Sequence, residues 1–185
     1  MVSGNPGPEL LEQFSSRAAA MGAELVVVPR LAEASAFIES FCTKQSLKKV
    51  LISPQARKLL GGSKLPLLDT ENLKNLAEAE LGIVAADYGI AETGTLVHFH
   101  EHDLEKLVGV LPLTCISVLE AGKIVRSLEE LVPEINEQLG RTGLPGPQVS
   151  LVSGPSRTAD IECRLCIGVH GPARLVILVV EGARE

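Results

Sequence analysis

The segment SGPSRTADIE, residues 153–162, concentrates residue types that bind anions. It follows the apolar run QVSLV, so it lies where a predicted strand ends and the next element begins. Gly154 permits a close approach of the backbone, and Pro155 favours the first turn of a helix. The free amides and positive end of such a helix attract an anion. The side chains predicted to complete this site are Ser153, Ser156, Arg157, Thr158 and Asp160.

Arg157 would supply a fork-shaped, charged donor to a carboxylate or phosphate. Asp160 and Glu162 follow closely enough to orient that arginine or to act as a base. The alternative is an ordinary strand-to-helix turn with a capping serine and one arginine salt bridge, since capping preferences explain both Ser and Pro. The density of polar residues favours a binding site.

A second polar stretch, AETGT at residues 91–95, lies between two predicted strands. Glu92 is the candidate catalytic residue, as a general base or a covalent nucleophile. Gly94 would let a ligand approach the backbone, while Thr93 and Thr95 supply hydroxyls. The alternative is a hairpin or bulge in which Glu92 is a solvated turn residue. We expect the two stretches to meet at adjacent strand ends, with Arg157 binding the anion and Glu92 facing the reacting carbon or a water.

Histidines and cysteines form two further patterns. The run HFHEH puts His98, His100 and His102 at alternate positions, which on a strand is one face and a possible metal site; an exposed edge strand is the alternative. The pair Cys163 and Cys166 lies on a predicted helix, beyond the helix start that a redox pair requires. We therefore predict packing for the two cysteines and no bound metal.

Periodicity predicts the elements that position these residues. Helices are expected at 9–20, 31–46, 55–62, 69–80, 127–139 (disturbed at Pro133) and 156–168. Strands are expected at 23–29, 49–54, 81–86, 94–99, 114–120, 148–153 and 174–182, with a loop from Asp87 to Thr93. Apolar strands alternating with helices predict an α/β fold, a layered and mostly parallel sheet covered on both faces. Ligands of such folds collect at the carboxyl ends of the strands.

Composition narrows the class of protein. The chain has 185 residues, 45% of them hydrophobic, which fits a single domain over residues 9–185 after a flexible tail at 1–8. Its net charge of −6 and few aromatic residues argue against nucleic-acid binding. No apolar run approaches the roughly 20 residues of a membrane span, and four scattered cysteines do not form a secreted disulfide framework. A cytoplasmic location is expected.

The same motifs resemble those of the lactate-utilisation protein C family, whose domain is called LUD. SGPSRTADIE followed by GVHGPARLVILVV resembles one family signature, and AETGTLV, the Pro112 region and ISVLEAGKIVRSLEEL follow the family in the same order. The resemblance covers roughly residues 50–181. It implies a Rossmann-like fold similar to the sugar-phosphate isomerase and coenzyme A transferase group, and it adds His170 to the candidate ligand-binding residues.

The resemblance also implies a place in a bacterial system that oxidises L-lactate to pyruvate, with iron–sulfur subunits as partners. Four scattered cysteines fit a subunit without a cluster of its own. No dinucleotide fingerprint follows a predicted strand, so no cofactor is predicted. Two alternatives stay open: a stand-alone enzyme acting on a sugar phosphate or acyl-coenzyme A, and a non-catalytic regulatory partner of the iron–sulfur subunits.

Overall fold

The computed structural model describes residues 7–61, 65, 67–68, 73–140, 147–158 and 166–182. Within these residues the helices are α1 (Pro8–Ala20), α2 (Leu31–Lys44), α3 (Pro54–Leu60), α4 (Leu73–Glu78), α5 (Asp103–Val110) and α6 (Val132–Leu139). The strands are β1 (Glu24–Val28), β2 (Val50–Ile52), β3 (Leu81–Ala85), β4 (Tyr88–Ile90), β5 (Thr95–His100), β6 (Thr114–Glu120), β7 (Ile124–Val125), β8 (Gln148–Val152), β9 (Arg157–Thr158), β10 (Cys166–Ile167) and β11 (Arg174–Val180). Short 3₁₀ turns occupy Ala121–Lys123 and Glu129–Leu131.

A parallel sheet of five strands forms the centre of the fold, in the order β1-β11-β6-β3-β2. Strand β11 lies between β1 and β6, so Val176 is paired with Glu24 on one side and Ile116 on the other. From Leu175 to Val180 every residue of β11 is buried. This continuous burial is the reason that the strand is apolar from Leu175 to Val180 instead of alternating.

Helices cover both faces of this sheet. On one face α2 and α3 pack their Ile38, Phe41 and Leu59 side chains against the strands. On the other face α1 and α5 contribute Phe14 and Val108 to the core. The predicted α/β layered architecture with a mostly parallel sheet is therefore confirmed.

A second sheet, which the sequence patterns did not predict as a separate unit, packs on the α1 and α5 side. Its strand order is β7-β4-β5-β8, and β5 is antiparallel to both β4 and β8. The predicted loop from Asp87 to Thr93 is wrong at 88–90, where β4 pairs with β5 and β7. Three residues, Tyr-Gly-Ile, are too few to show a period, and tertiary pairing decides their conformation.

The helix predicted over 156–168 is also wrong at the positions that the structure describes. Arg157 and Thr158 form β9, which pairs antiparallel with Cys166 and Ile167 of β10. The Gly168 N–H donates to the Ser156 carbonyl and continues this ladder. The helix-favouring residues of the segment lie at 159–165. This stretch, which includes Asp160 and Cys163, is outside the described residues.

The remaining helices follow their patterns. The predicted disturbance at Pro133 is a 3₁₀ turn, after which α6 begins with Pro133 in its first turn, where the missing N–H costs no hydrogen bond. The N-cap expected at Asp69 or Thr70 lies outside the described residues. Among the helices described here the longest has 14 residues, and none is long and apolar enough to cross a membrane.

Ser53 gives a direct test of how α3 begins. Its buried Oγ accepts a hydrogen bond from the Ala56 N–H at 3.2 Å, so it caps the helix. We expect Ser53→Ala to lower the free energy of unfolding by about 1 kcal/mol and the melting temperature by roughly 2–4 °C. Ser16→Ala, on an exposed face of α1, is the control and should leave the melting temperature nearly unchanged. Equal melting temperatures for the two variants would contradict the capping role.

Candidate functional site

A cavity of about 450 Å³ lies between the central sheet, α5 and the second sheet, and we call it the inter-sheet cavity. Its floor is formed by buried residues of the central sheet: Val84, Cys115, Ser117 and Leu175. Its walls include His98, His100 and Ser150 from the second sheet and Lys106 from α5. Its rim carries exposed side chains, among them Met21, Arg157 and His170.

The position of this cavity differs from the edge predicted for a parallel sheet. Cys115 and Leu175 are the second residues of β6 and β11, so the floor reaches the amino-terminal halves of the central strands. Ser153 does follow the carboxyl end of a strand, but that strand is β8 of the second sheet. The polar rim and the apolar floor are thus supplied by different sheets.

The two polar turns predicted from the sequence lie side by side. The Thr95 and Ser153 hydroxyls are hydrogen-bonded at 2.7 Å, although 58 positions separate them. The Thr93 hydroxyl is hydrogen-bonded to Thr95 at the same distance. A chain of three hydroxyls therefore joins the turn before β5 to the turn after β8.

The glycines of these turns accommodate α1. Gly94 has a φ of +67°, and a Cβ there would overlap the backbone of Ala18 in α1. Gly154 has a φ of +101°, and a Cβ there would lie 2.5 Å from the Met21 carbonyl oxygen. Both glycines are required by the close approach of a helix end, a packing role that the sequence did not reveal.

Arg157 lies on the rim of the cavity and also caps the carboxyl end of α1. Its Nη2 donates to the Met21 carbonyl oxygen at 2.8 Å, which satisfies a carbonyl left free at the helix terminus. The Ser156 N–H donates to the Pro172 carbonyl at 2.8 Å. Since Arg157 and Thr158 form a strand, the positive helix end predicted here is wrong, and this segment contributes positive potential through the Arg157 guanidinium.

The other predicted residues divide between the rim and the surface. His170 is exposed and lines the inter-sheet cavity with Ser153, Gly154 and Ser156. Glu92 is exposed, its N–H donates to the Arg126 carbonyl, and it is not among the residues that line this cavity. The catalytic role of Glu92 and the ligand-binding roles of the turn residues stay predictions.

The histidines of HFHEH separate at the end of β5. His98 and His100 lie on one buried face, with their rings stacked at 6.1 Å between centroids, whereas His102 lies beyond the strand and is exposed. The three do not share one face, because the strand ends at His100. Among the described residues no group of three or more His, Cys, Asp or Glu side chains is placed to hold a metal ion.

Burial keeps both cavity histidines neutral. The pKa of His98 falls to about 4 because burial penalises the charged ring, and burial also lowers the pKa of His100. His98 Nδ1 is 3.0 Å from the Ala85 carbonyl oxygen, so Nδ1 carries the proton and donates. His100 Nε2 is hydrogen-bonded to the Ser150 hydroxyl at 3.0 Å.

Sequence reasoning missed four polar residues among those described around the cavity: Lys106, Cys115, Ser117 and Ser150. Lys106 in α5 donates from Nζ to Gln148 Oε1 at 3.0 Å. Cys115 and Ser117 alternate with Ile116 and Val118 in β6, so they face the cavity while their neighbours face α2 and α3. Burial raises the pKa of the Cys115 thiol to about 12, which keeps it protonated. The signal was present in TCISVLE, where two residues with polar atoms occupy alternate positions of a buried strand.

The charge lining the inter-sheet cavity is opposite in sign to that of the whole chain. Lys106 and Arg157 line it, and no Asp or Glu is found among the described residues around it. The chain as a whole has a net charge of −6. A cavity whose described charged residues are all cationic favours an anionic occupant.

The neutral state of His98 predicts a loss of stability in acid. The pKa of the His98 ring is near 6.5 in the unfolded chain and near 4 in the folded protein. The stability that comes from the neutral ring is therefore complete above pH 6.5 and is lost as the pH falls toward 4. In His98→Asn the amide replaces the donor to Ala85 and does not titrate. In this pH range we expect the free energy of unfolding of the variant to fall by up to about 1.4 kcal/mol less per pH unit than that of the unmodified chain. Urea unfolding measures this difference.

His102→Asn is the matched control, because His102 is exposed outside the cavity. Its pH dependence should follow that of the unmodified chain. If His98→Asn follows it as well, the pKa of the His98 ring is not lowered by folding.

Comparisons with known proteins agree with this architecture. The LUD domain family model matches residues 11–180, a longer stretch than the motifs alone indicated. Lactate utilization protein C of Geobacillus kaustophilus is 33% identical over 115 residues, which is 62% of this chain and 48% of that protein. Lactate utilization protein C of Bacillus subtilis is 33% identical over 112 residues, which is 60% of this chain and 46% of that protein. The chain spans about half the length of these relatives.

A solved structure shows the same fold. The crystal structure of a DUF162 family protein from Deinococcus radiodurans superposes with a TM-score of 0.67 over 93% of this chain and 96% of that one, at 22% sequence identity. The sheet order and the two polar turns described above lie within the stretch matched by the family model. The chain belongs to the LUD domain family.

Proposed function

We propose that this chain serves lactate utilisation and that its inter-sheet cavity binds a small carboxylate. The names of its relatives support the first statement. The observation that carries the second is the lining of the cavity, which includes Lys106 and Arg157 and, among described residues, no acidic side chain. The positive charge of this lining, in a chain whose net charge is −6, favours an anion.

The distribution of buried and exposed residues predicts how the ligand is oriented in the cavity. Val84, Cys115 and Leu175 at the floor are buried and mainly apolar, whereas Arg157 and His170 at the rim are exposed. A ligand with one charged end and one less polar end matches this gradient, since its carboxylate stays near the guanidinium and near water. Arg157 uses one N–H on Met21, and its other donors can bind the carboxylate.

We further propose that the protein works beside iron–sulfur subunits that carry electrons from lactate. Cys42, Cys115 and Cys166 lie on three different elements, α2, β6 and β10. A four-iron cluster needs several cysteines converging on one point. In this proposal the chain therefore binds the ligand, and its partners transfer the electrons.

Calorimetric titration with L-lactate, pyruvate, propionate and inorganic phosphate tests the anion site. At least one carboxylate should bind, and Arg157→Gln and Lys106→Gln should each weaken its binding about tenfold, because each removes a charge-assisted hydrogen bond. Arg30→Gln is the control: it removes an equal charge at an exposed ion pair with Glu33, and neither residue is part of the described cavity lining.

The control variant should bind like the unmodified chain. If no acid binds at millimolar concentration, or if all three variants weaken binding equally, the cavity is not the anion site. Glu92→Gln belongs in the same series, because a change in affinity there would favour the turn at 91–95 as the ligand site.

Co-expression with the iron–sulfur subunits of a lactate-oxidation system tests the partnership. We expect the tagged chain to retain those subunits in fixed stoichiometry through size-exclusion chromatography. Co-expression with an unrelated four-iron ferredoxin is the control for nonspecific retention. Separate elution of the chain and the subunits would contradict the proposed partnership while leaving the anion site untouched.

A further inference from the structure

The inter-sheet cavity is larger than the shortest carboxylic acids need. Its volume is about 450 Å³, and cavities of roughly 300–1,000 Å³ hold ligands as large as drugs. An acid as short as propionate, bound by Arg157 at the rim, leaves most of this volume to water. The lining also includes the apolar side chains of Val84, Val110, Val152 and Leu175, which suit an alkyl chain. The cavity therefore fits a carboxylate that carries a longer body.

The floor of the cavity holds a buried hydroxyl that the protein leaves unpaired. Ser117 lies in the middle of β6, is fully buried and lines the cavity. Its Oγ has no hydrogen-bond partner within the part of the chain that the structure describes. Because a buried hydroxyl without a partner is unfavourable, an occupant that supplies the partner is stabilised there.

His98 presents a second open polar atom to the same cavity. Its Nδ1–H donates to the Ala85 carbonyl oxygen at 3.0 Å, so the neutral ring keeps its acceptor lone pair on Nε2. No hydrogen bond to this nitrogen is found among the residues that the structure describes. Ala85 follows Val84, and Val84 is paired with Ser117 across β3 and β6. The His98 ring is thus anchored one residue away from the strand position that faces Ser117.

The other polar side chains of the cavity interior are already paired or bind only weakly. The His100 ring is hydrogen-bonded to Ser150, and Lys106 is hydrogen-bonded to Gln148. Cys115 holds a protonated thiol, which is a weak donor and a weak acceptor. Among the described residues, the open hydrogen-bonding atoms of the interior are therefore Ser117 Oγ and His98 Nε2.

We propose that the inter-sheet cavity binds an ω-hydroxy acid, in which an alkyl chain separates a terminal hydroxyl group from the carboxylate. Arg157 at the rim binds the carboxylate, a contact that belongs to the proposed function and on which this inference rests. The alkyl chain lies along the apolar lining. The terminal hydroxyl donates to His98 Nε2 and accepts from the Ser117 hydroxyl. A terminal methyl group would leave both of these atoms without a partner.

Calorimetric titration with matched pairs of acids tests this assignment. Butyrate, hexanoate and octanoate are each compared with the ω-hydroxy acid of equal length. For at least one length the ω-hydroxy acid should bind about tenfold more tightly than its unsubstituted partner. A floor without open polar groups gives the opposite order, because a hydroxyl is less favourable to bury than a methyl group.

Variants of the floor and of the rim should change different quantities. In Ser117→Ala, and in His98→Phe, whose ring lacks an acceptor nitrogen, the two acids of the preferred pair should bind within about twofold of each other. Arg157→Gln should instead weaken both acids in parallel and keep their ratio. Ser53→Ala is the control, since Ser53 is a buried serine outside the described cavity lining, and it should keep the tenfold ratio. If His98→Phe does not fold, Ser117→Ala decides.

The outcomes separate this inference from the proposed function. If no acid of either series binds, both are overturned. If the acids bind and are weakened by Arg157→Gln, but no ω-hydroxy acid exceeds its partner, the carboxylate site stands and the inference is overturned. If the tenfold preference persists in Ser117→Ala, a group other than Ser117 binds the terminal hydroxyl, which also contradicts the inference.

Thermal stability gives a readout that does not depend on any ligand. Because Ser117→Ala removes an unpaired buried hydroxyl, its melting temperature should be unchanged or higher by about 2–4 °C. Ser53→Ala is again the control, because its hydroxyl caps α3, and its melting temperature should fall. A fall of equal size in Ser117→Ala would mean that Ser117 already has a partner in the ligand-free protein, which contradicts the inference.

Discussion

The central parallel sheet has two apolar faces, and the need to cover both of them shapes the rest of the molecule. Helices α2 and α3 cover one face densely with aliphatic and aromatic side chains. The other face is covered by a mixed layer of helices and a second sheet. Elements of such different shape do not close evenly over β6, and the inter-sheet cavity lies where they diverge. The candidate site is thus a product of how the second face is covered.

The end of α1 holds the two polar turns in place. Gly94 and Gly154 let the turns approach the helix backbone, and Arg157 satisfies the Met21 carbonyl at its terminus. The polar composition of SGPSR therefore has a structural cause as well as a place on the cavity rim. Because capping a helix uses only part of the guanidinium, the structural role of Arg157 is compatible with the predicted ligand-binding role.

The sequence predicted most of the central sheet because its strands are continuous apolar runs between clear turn signals, as in TCISVLE and RLVILVV. It failed at Tyr88–Ile90 and at 157–158, where pairing with distant strands decides the conformation of segments too short to show a period. It also predicted that the two polar turns meet, as the Thr95–Ser153 hydrogen bond shows, while the ligand-binding role of Arg157 stays a prediction. It missed Ser117, because the two polar residues at alternate positions of TCISVLE point to a cavity only when the surroundings of that strand are known.

Strand β11 has an interior place in the central sheet although it is the last described strand along the sequence. Until residues 174–180 leave the ribosome, β1 and β6 have no common neighbour, and each presents an open row of backbone amides and carbonyls. Contacts that join residue 24 to residue 176 also give the fold a high contact order, which slows folding. A nascent chain of this protein is therefore exposed to aggregation until residues 174–180 have emerged, and a chaperone has the most to protect before that point.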